Sequence, residues 1–136
     1  MSTAEDIMKM SRVIAVVGLS SKPDRHSNMV AGYLQEHGYR VIPVNPMEKE
    51  VLYETCYPDL LSVPEKVDAV DIFRRSEDVP PVVEQAIKIG AKAVWMQEGI
   101  INEAAAARAR EAGLMVVMDE CMRKVYARMH GLKEEE

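Results

Sequence analysis

Two hydroxyls and two cations, Ser20, Ser21, Lys22 and Arg25, stand directly behind Gly18, which itself ends the apolar run 13–17. Residues of these types meet anions. Hydroxyls and backbone N–H groups donate hydrogen bonds, and lysine and arginine add positive charge. An amphipathic stretch from Met29 onward follows at once, so the loop feeds a helix N-terminus. Aligned peptide dipoles there favour anions by about 0.3–1 kcal/mol when exposed. A phosphate is the natural occupant. A solvated loop with incidental charges is the competing reading, and loop charge alone would favour it. Position after the first strand of an α/β sheet shifts the choice to phosphate.

Arg74 and Arg75 form a second basic feature, at the end of the run 67–73. A guanidinium there can grip phosphate bidentately or stack on adenine. The alternative is a solvent-exposed pair matched to Glu77 and Asp78. Phe73 reads as core at its base and crevice wall at its edge. Further on, Gln97, Glu98 and Asn102 offer amide and carboxylate hydrogen bonds without positive charge, which suits a polar, uncharged ligand arm. Asn102 taken alone reads better as a helix cap.

Other chemistries find less support. No GxxxxGK(S/T) run is present, and GxGxxG is broken: Leu19 and Ser20 follow Gly18, and the next glycine is Gly32. Sites for NAD also want an acid after the second strand, where this chain has Asn45 and Pro46. His26 lies near the loop, His37 ends a helix on its solvent side, and His130 falls near the tail. No Ser-His-Asp or Cys-His set and no ligand spacing for a metal emerges. Cys121 follows Asp119 and Glu120; it reads as a half-buried small residue, those acids opposing any helix-terminal lowering of its pKa.

The elements that position these groups alternate. Residues 2–11 read as a helix capped by Ser2 or Thr3, with Glu5 and Asp6 in its first turn. Residues 13–17 form a strand apolar throughout, as in a parallel sheet buried on both faces. A helix over 29–37 stops at Gly38. A second strand spans 40–45, where Pro43 predicts a bulge or a missing partner. Residues 46–61 read as loop with a short strand and one helical turn. Strands over 67–73, 93–96 and 114–118 alternate with helices starting at Pro80-Pro81 and ending by Gly90, over 102–112, and over 120–130. The final LKEEE is expected to be solvated and frayed. The product is an α/β, Rossmann-like, doubly wound, mainly parallel five-stranded sheet with helices on both faces. Its strands are expected in the order 3-2-1-4-5, with the ligand beyond their carboxyl ends.

Composition agrees. At 136 residues, the chain reads as one domain over 1–136. A net charge of −5 argues against a broad nucleic-acid surface but leaves room for a local basic pocket. The lone Trp95 and lone Phe73 leave little for a base-stacking platform. Apolar stretches break well before the ~20 residues of a membrane span. The N-terminal residues lack a secretory pattern, so the cytoplasm is expected. Cys56 and Cys121 make no disulfide framework. The ten methionines read as core filler.

Four stretches also carry a family likeness. VVGLSSKPDRHSNMVAGYLQEHGYRVIPVNP, VDAVDIFRRSEDVP, GAKAVWMQEGIINEAAAARAREAG and VVMDECM resemble the small stand-alone CoA-binding proteins, which are similar to the CoA-binding domain of the succinyl-CoA synthetase alpha subunit. The resemblance implies a Rossmann-like domain holding coenzyme A along its strand ends. It implies that Gly18, Ser20, Ser21, Lys22 and Arg25 form the phosphate loop, and that Asn45 and Pro46 lie near the adenosine end. It further implies that Phe73, Arg74 and Arg75 line the pocket and that Gln97, Glu98, Gly99 and Asn102 lie near the pantetheine arm. The family's usual DRC is Asp119-Glu120-Cys121 here.

The reading is therefore a CoA or acyl-CoA carrier or sensor without a catalytic set. Its rivals are a subunit of a two-chain acyl-CoA ligase or transferase, an NAD(H)-binding redox protein, and an interaction module that has lost its ligand. No nucleic acid or membrane is expected as partner; a protein partner or a homo-oligomer stays open.

Overall fold

The computed structural model describes residues 2–132; Met1 and residues 133–136, where most of the frayed tail was expected, lie outside the described residues. Helix α1, Thr3–Met10, begins at Ser2, whose Oγ accepts from Glu5 N at 3.1 Å. Such a cap contributes about 1 kcal/mol. Its buried Ala4, Ile7 and Met8 face the sheet.

Five parallel strands follow in the chain: β1 (Val13–Val17), β2 (Arg40–Val44), β5 (Ala69–Ile72), β6 (Ala93–Met96) and β7 (Met115–Val117). A small antiparallel hairpin, β3 (Glu50–Val51) and β4 (Glu54–Thr55), interrupts them. Helices α2 (His26–Glu36), α3 (Val79–Lys88), α4 (Glu103–Glu111) and α5 (Met122–Met129) complete the α/β, Rossmann-like fold. Helix α2 starts three residues before the apolar spacing indicated. Its first turn, His26-Ser27-Asn28, is polar and carries no hydrophobic signal.

The sheet order is β2-β1-β5-β6-β7, not the expected one with the third long strand outside the second. Strand β5 joins the free side of β1, with Asp68 N donating to Val13 O at 2.9 Å and Phe73 N to Val17 O at 2.8 Å. The outer edge of β2 is already covered by the chain's own return: Tyr57 N donates to Pro43 O and Asn45 N to Tyr57 O. The same contacts correct the expectation of a bulge at Pro43. Backbone N and O of one strand residue point to the same side, and Pro43 points to that outer edge. Its missing N–H costs no bond to β1, and the register Val16↔Pro43 runs unbroken.

Each sheet face carries its own core. Ala15, Val70, Ile72, Val94 and Met96 pack with the buried sides of α3 and α4. Ile14, Val16, Ala69 and Trp95 pack with α1, α2 and α5. Trp95 is fully buried and donates Nε1–H to Glu120 O at 2.8 Å. The methionines are not all filler: Met8, Met96 and Met122 are buried, but Met47 is 85% exposed. No helix among the described residues is long and apolar enough to cross a membrane.

Candidate functional site at the switch of the sheet

Connections run to one side of β1 from its own end and to the other side from β2, so the sheet switches direction between β1 and β5. Open α/β sheets bind ligands at that point. Here Gly18 leaves β1 with φ of +87°. A Cβ at this position would lie 2.3 Å from Phe73 O and 3.3 Å from Arg74 Cδ, so only glycine allows the approach. The two loops beyond β1 and β5 are therefore pressed together.

The loop after Gly18 is tied by its own polar groups. Ser20 N donates to Ser27 Oγ at 3.0 Å, Lys22 N to Ser20 Oγ at 3.1 Å, and Asn28 Nδ2 to Ser20 O at 2.8 Å. Asn45 Nδ2 donates to Leu19 O at 3.0 Å, and its Oδ1 accepts from Met47 N at 2.9 Å. Asn45 is thus a strut between β2 and the loop, where an NAD site would hold a ribose-binding acid. Ser27 and Asn28 escaped sequence reasoning; their signal was polarity at buried positions of a helix start. Glu48 was missed as well. Its Oε2 accepts from Ser21 Oγ at 2.8 Å and from Ser21 N at 3.3 Å, so a carboxylate sits on two of the loop's donors.

Two cavities flank the Gly18–Phe73 contact, one on each face of the sheet. On the α2 side, about 270 Å³ is lined by Gly18, Ser20, Arg25, His26, Ser27 and Phe73. On the α3 side, about 220 Å³ is lined by residues including Val44, Pro46, Asp59, Leu60 and Arg74. Lys22, Arg25 and Arg74 are exposed and form no ion pair among the described residues. Arg75 differs: it is 76% exposed and pairs with Asp78 at 3.0 Å and Glu77 at 3.7 Å, outside both cavities.

The segment after β6 is engaged within the protein. Gln97 is 1% exposed, and its Nε2 donates to Asp71 Oδ1 at 2.7 Å. Burial pushes the Asp71 carboxyl up to about 8, against the lowering effect of that hydrogen bond. Asp71 Oδ2 and Gln97 Oε1 are buried without partners. Glu98 pairs with Lys124 at 2.9 Å, and Gly99 N donates to Asp119 Oδ1 at 2.7 Å. Asn102 caps α4, accepting from Ala105 N at 2.9 Å, and donates to Ser76 O at 2.9 Å. The cap uses the amide oxygen, and the amide nitrogen ties the start of α4 to the segment after β5.

Two side chains differ from expectation. Cys121 is not half-buried but 2% exposed. Burial raises its thiol pKa, opposed by the Lys124 and Arg123 backbone N–H groups; the acids that raise it further are Glu98 and Asp71, not its chain neighbours. His37 does not face solvent freely; its ring stacks on Tyr33 at 4.1 Å between centroids and tilts against Tyr126. It borders a groove of about 620 Å³ at the amino ends of the strands, away from the switch. The fold also gathers groups that no spacing brought together: Cys121 Sγ and one ligand atom each of His26 and Glu98 lie within 4.8 Å of one another.

A loop of backbone donors, a helix N-terminus and cations with no ion pair among the described residues, beside a glycine-only turn, can hold phosphates. The CoA binding domain model matches residues 12–127. The chain belongs to this family of CoA-binding domains. Uncharacterized protein YneT of Bacillus subtilis is 41% identical to it over 90% of this chain and 91% of that protein. A hypothetical protein from Pyrococcus horikoshii has the same fold, with a TM-score of 0.92 at 44% identity over 96% of this chain and 94% of that one. The CoA-binding domain is also similar to part of acetyl-coenzyme A synthetase 1 of Ca. Korarchaeum cryptofilum. There the TM-score is 0.71 at 30% identity, over 77% of this chain and 25% of that one.

Proposed function

We propose that this CoA-binding domain holds coenzyme A or an acyl-CoA across the carboxyl ends of β1, β5 and β6, as a carrier or sensor. One observation supports it above the rest. Two cavities flank the Gly18–Phe73 contact, one lined by Arg25 and the other by Arg74, and these two cations and Lys22 of the same loop have no ion-pair partner among the described residues. Coenzyme A carries a pyrophosphate, a 3′-phosphate, a flat adenine and a neutral amide-rich arm. The pyrophosphate suits the loop behind Gly18 and the start of α2. The adenosine end suits the cavity of Pro46 and Arg74, whose guanidinium can meet the 3′-phosphate or the ring. The neutral arm suits the ground between Phe73 and the turn after β6, where Glu98 and Lys124 neutralise each other.

Calorimetry with CoA, 3′-dephospho-CoA, NAD and ATP tests this reading. CoA is expected to bind most tightly, with a loss on removing the 3′-phosphate. No CoA binding at millimolar concentration would overturn it. The likeness to part of an acetyl-CoA synthetase favours a second reading, a subunit of a two-chain acyl-CoA ligase. Acyl-CoA turnover on adding an ATP-grasp-type partner would select it.

A further inference from the structure

We propose that Cys121, His26 and Glu98 form a site for a thiophilic divalent cation of the Zn²⁺ class. The proposal goes beyond CoA binding and does not rest on it. The three ligand atoms come from three separate elements: the residue that opens α5, the first residue of α2, and the turn after β6. All lie within 4.8 Å of one another. Ligands of a tetrahedral zinc stand roughly 3.3–3.8 Å apart, given metal–ligand bonds of about 2.0–2.3 Å. Small side-chain rotations close the difference. Cys121 is the fixed member, 2% exposed at the start of α5. His26 and Glu98 are exposed.

The donor set points to the metal. Sulfur, imidazole nitrogen and carboxylate oxygen together suit zinc and cobalt, and do not suit magnesium or calcium, which take oxygen shells. Three protein ligands leave a fourth position open, on the side where His26 lines the α2-side cavity. Beneath the cluster lies the Asp71–Gln97 pair, with one buried oxygen unpartnered on each side chain. The Phe73 ring packs edge-on to His26 at 5.8 Å between centroids and limits how the imidazole swings. Lys124 holds Glu98 through Oε2, so the metal takes the other oxygen or displaces the ammonium.

The test uses tag-free, chelator-treated protein titrated with Co²⁺ and followed by absorption. The expected result is a thiolate-to-cobalt charge-transfer band in the near ultraviolet that Zn²⁺ erases. Cys121→Ser should abolish the band, and Cys56→Ser should keep it. His26→Ala and Glu98→Gln should each weaken Co²⁺ binding by about tenfold or more. Both are exposed positions, so they carry the test even if Cys121→Ser does not fold, which circular dichroism reports. No charge-transfer band in the parent protein, or unchanged Co²⁺ affinity in His26→Ala and Glu98→Gln, overturns the site. Calorimetry of CoA with the metal-free protein keeps a failure here distinct from a failure of CoA binding.

Discussion

Gln97 and Asp71 meet in the core through one 2.7 Å hydrogen bond, amide to carboxyl, and the second oxygen of each side chain is buried without a partner. Neither residue is more than 1% exposed. An unpartnered buried oxygen costs about 1–3 kcal/mol, so the pair is a place where the fold carries a polar burden at its ligand-facing end.

That pair predicts a pH dependence of stability. The Asp71 carboxyl is raised to about 8 in the folded protein by burial. Its unfolded value is about 4. Between these values the folded state keeps a proton that the unfolded state has lost. The contribution is therefore fully present below the unfolded value and falls as pH rises, by at most about 1.4 kcal/mol per pH unit. Asp71→Asn stays neutral and should gain on the parent protein as pH rises from about 5 to about 8. Urea midpoints across that range check this; parallel curves for the two proteins would reject it.

Gly18→Ala should lower stability by about 1–3 kcal/mol. The added methyl meets Phe73 O at 2.3 Å in a left-handed backbone conformation. The two loops must part to admit it, so CoA affinity should drop as well. Equilibrium unfolding and calorimetry on the same variant separate the two effects. An unchanged unfolding midpoint would contradict the close contact.

The basic residues should not be equivalent. Arg74→Ala and Lys22→Ala are expected to weaken CoA by roughly ten- to a hundredfold each, the scale of a charge-assisted hydrogen bond of about 1.5–3 kcal/mol. Both should leave a bare pantetheine fragment nearly untouched. Arg75→Ala should leave CoA affinity unchanged, because Arg75 is spent on Asp78 in an exposed pair. Equal losses for CoA and pantetheine, or a large loss at Arg75, would remove the phosphate assignment.

Glu48 sits where an anion would compete with it. Its carboxylate accepts from Ser21 Oγ and Ser21 N. Glu48→Gln keeps the hydrogen-bond acceptor and drops the charge, so CoA should bind severalfold more tightly, and the gain should shrink at high salt. Weaker binding would instead mean that the carboxylate organises the loop.

Much of this was legible in the chain itself. Val13–Val17 and Ala93–Met96 are strands at the bounds their apolar runs predicted. Ser2 and Asn102 cap helices as their types predicted. These are local effects: side-chain periodicity, capping chemistry and the torsions of glycine act over a few residues. The close turn at Gly18 was legible for the same reason.

Strand order and long-range company were not. Nothing near Ala69–Ile72 in sequence says that it joins β1 rather than β2; the return of Tyr57 along Pro43 takes the other edge first. Asp71 is a polar residue inside a buried strand, and only the pairing of β5 with β6 sets it beside Gln97. Arg74 and Arg75 are neighbours of one type, yet one lines a cavity and the other pairs with Asp78. His26, Glu98 and Cys121 are far apart in the chain and come within 4.8 Å only because the segments that leave β1, β6 and β7 converge at the carboxyl end of one sheet. The sequence by itself determined most of the elements and the polar, basic make-up of the first loop. Tertiary structure decided which strand ends adjoin, and so which groups share a site, because pairing across a sheet is chosen by the edge left free rather than by any local preference.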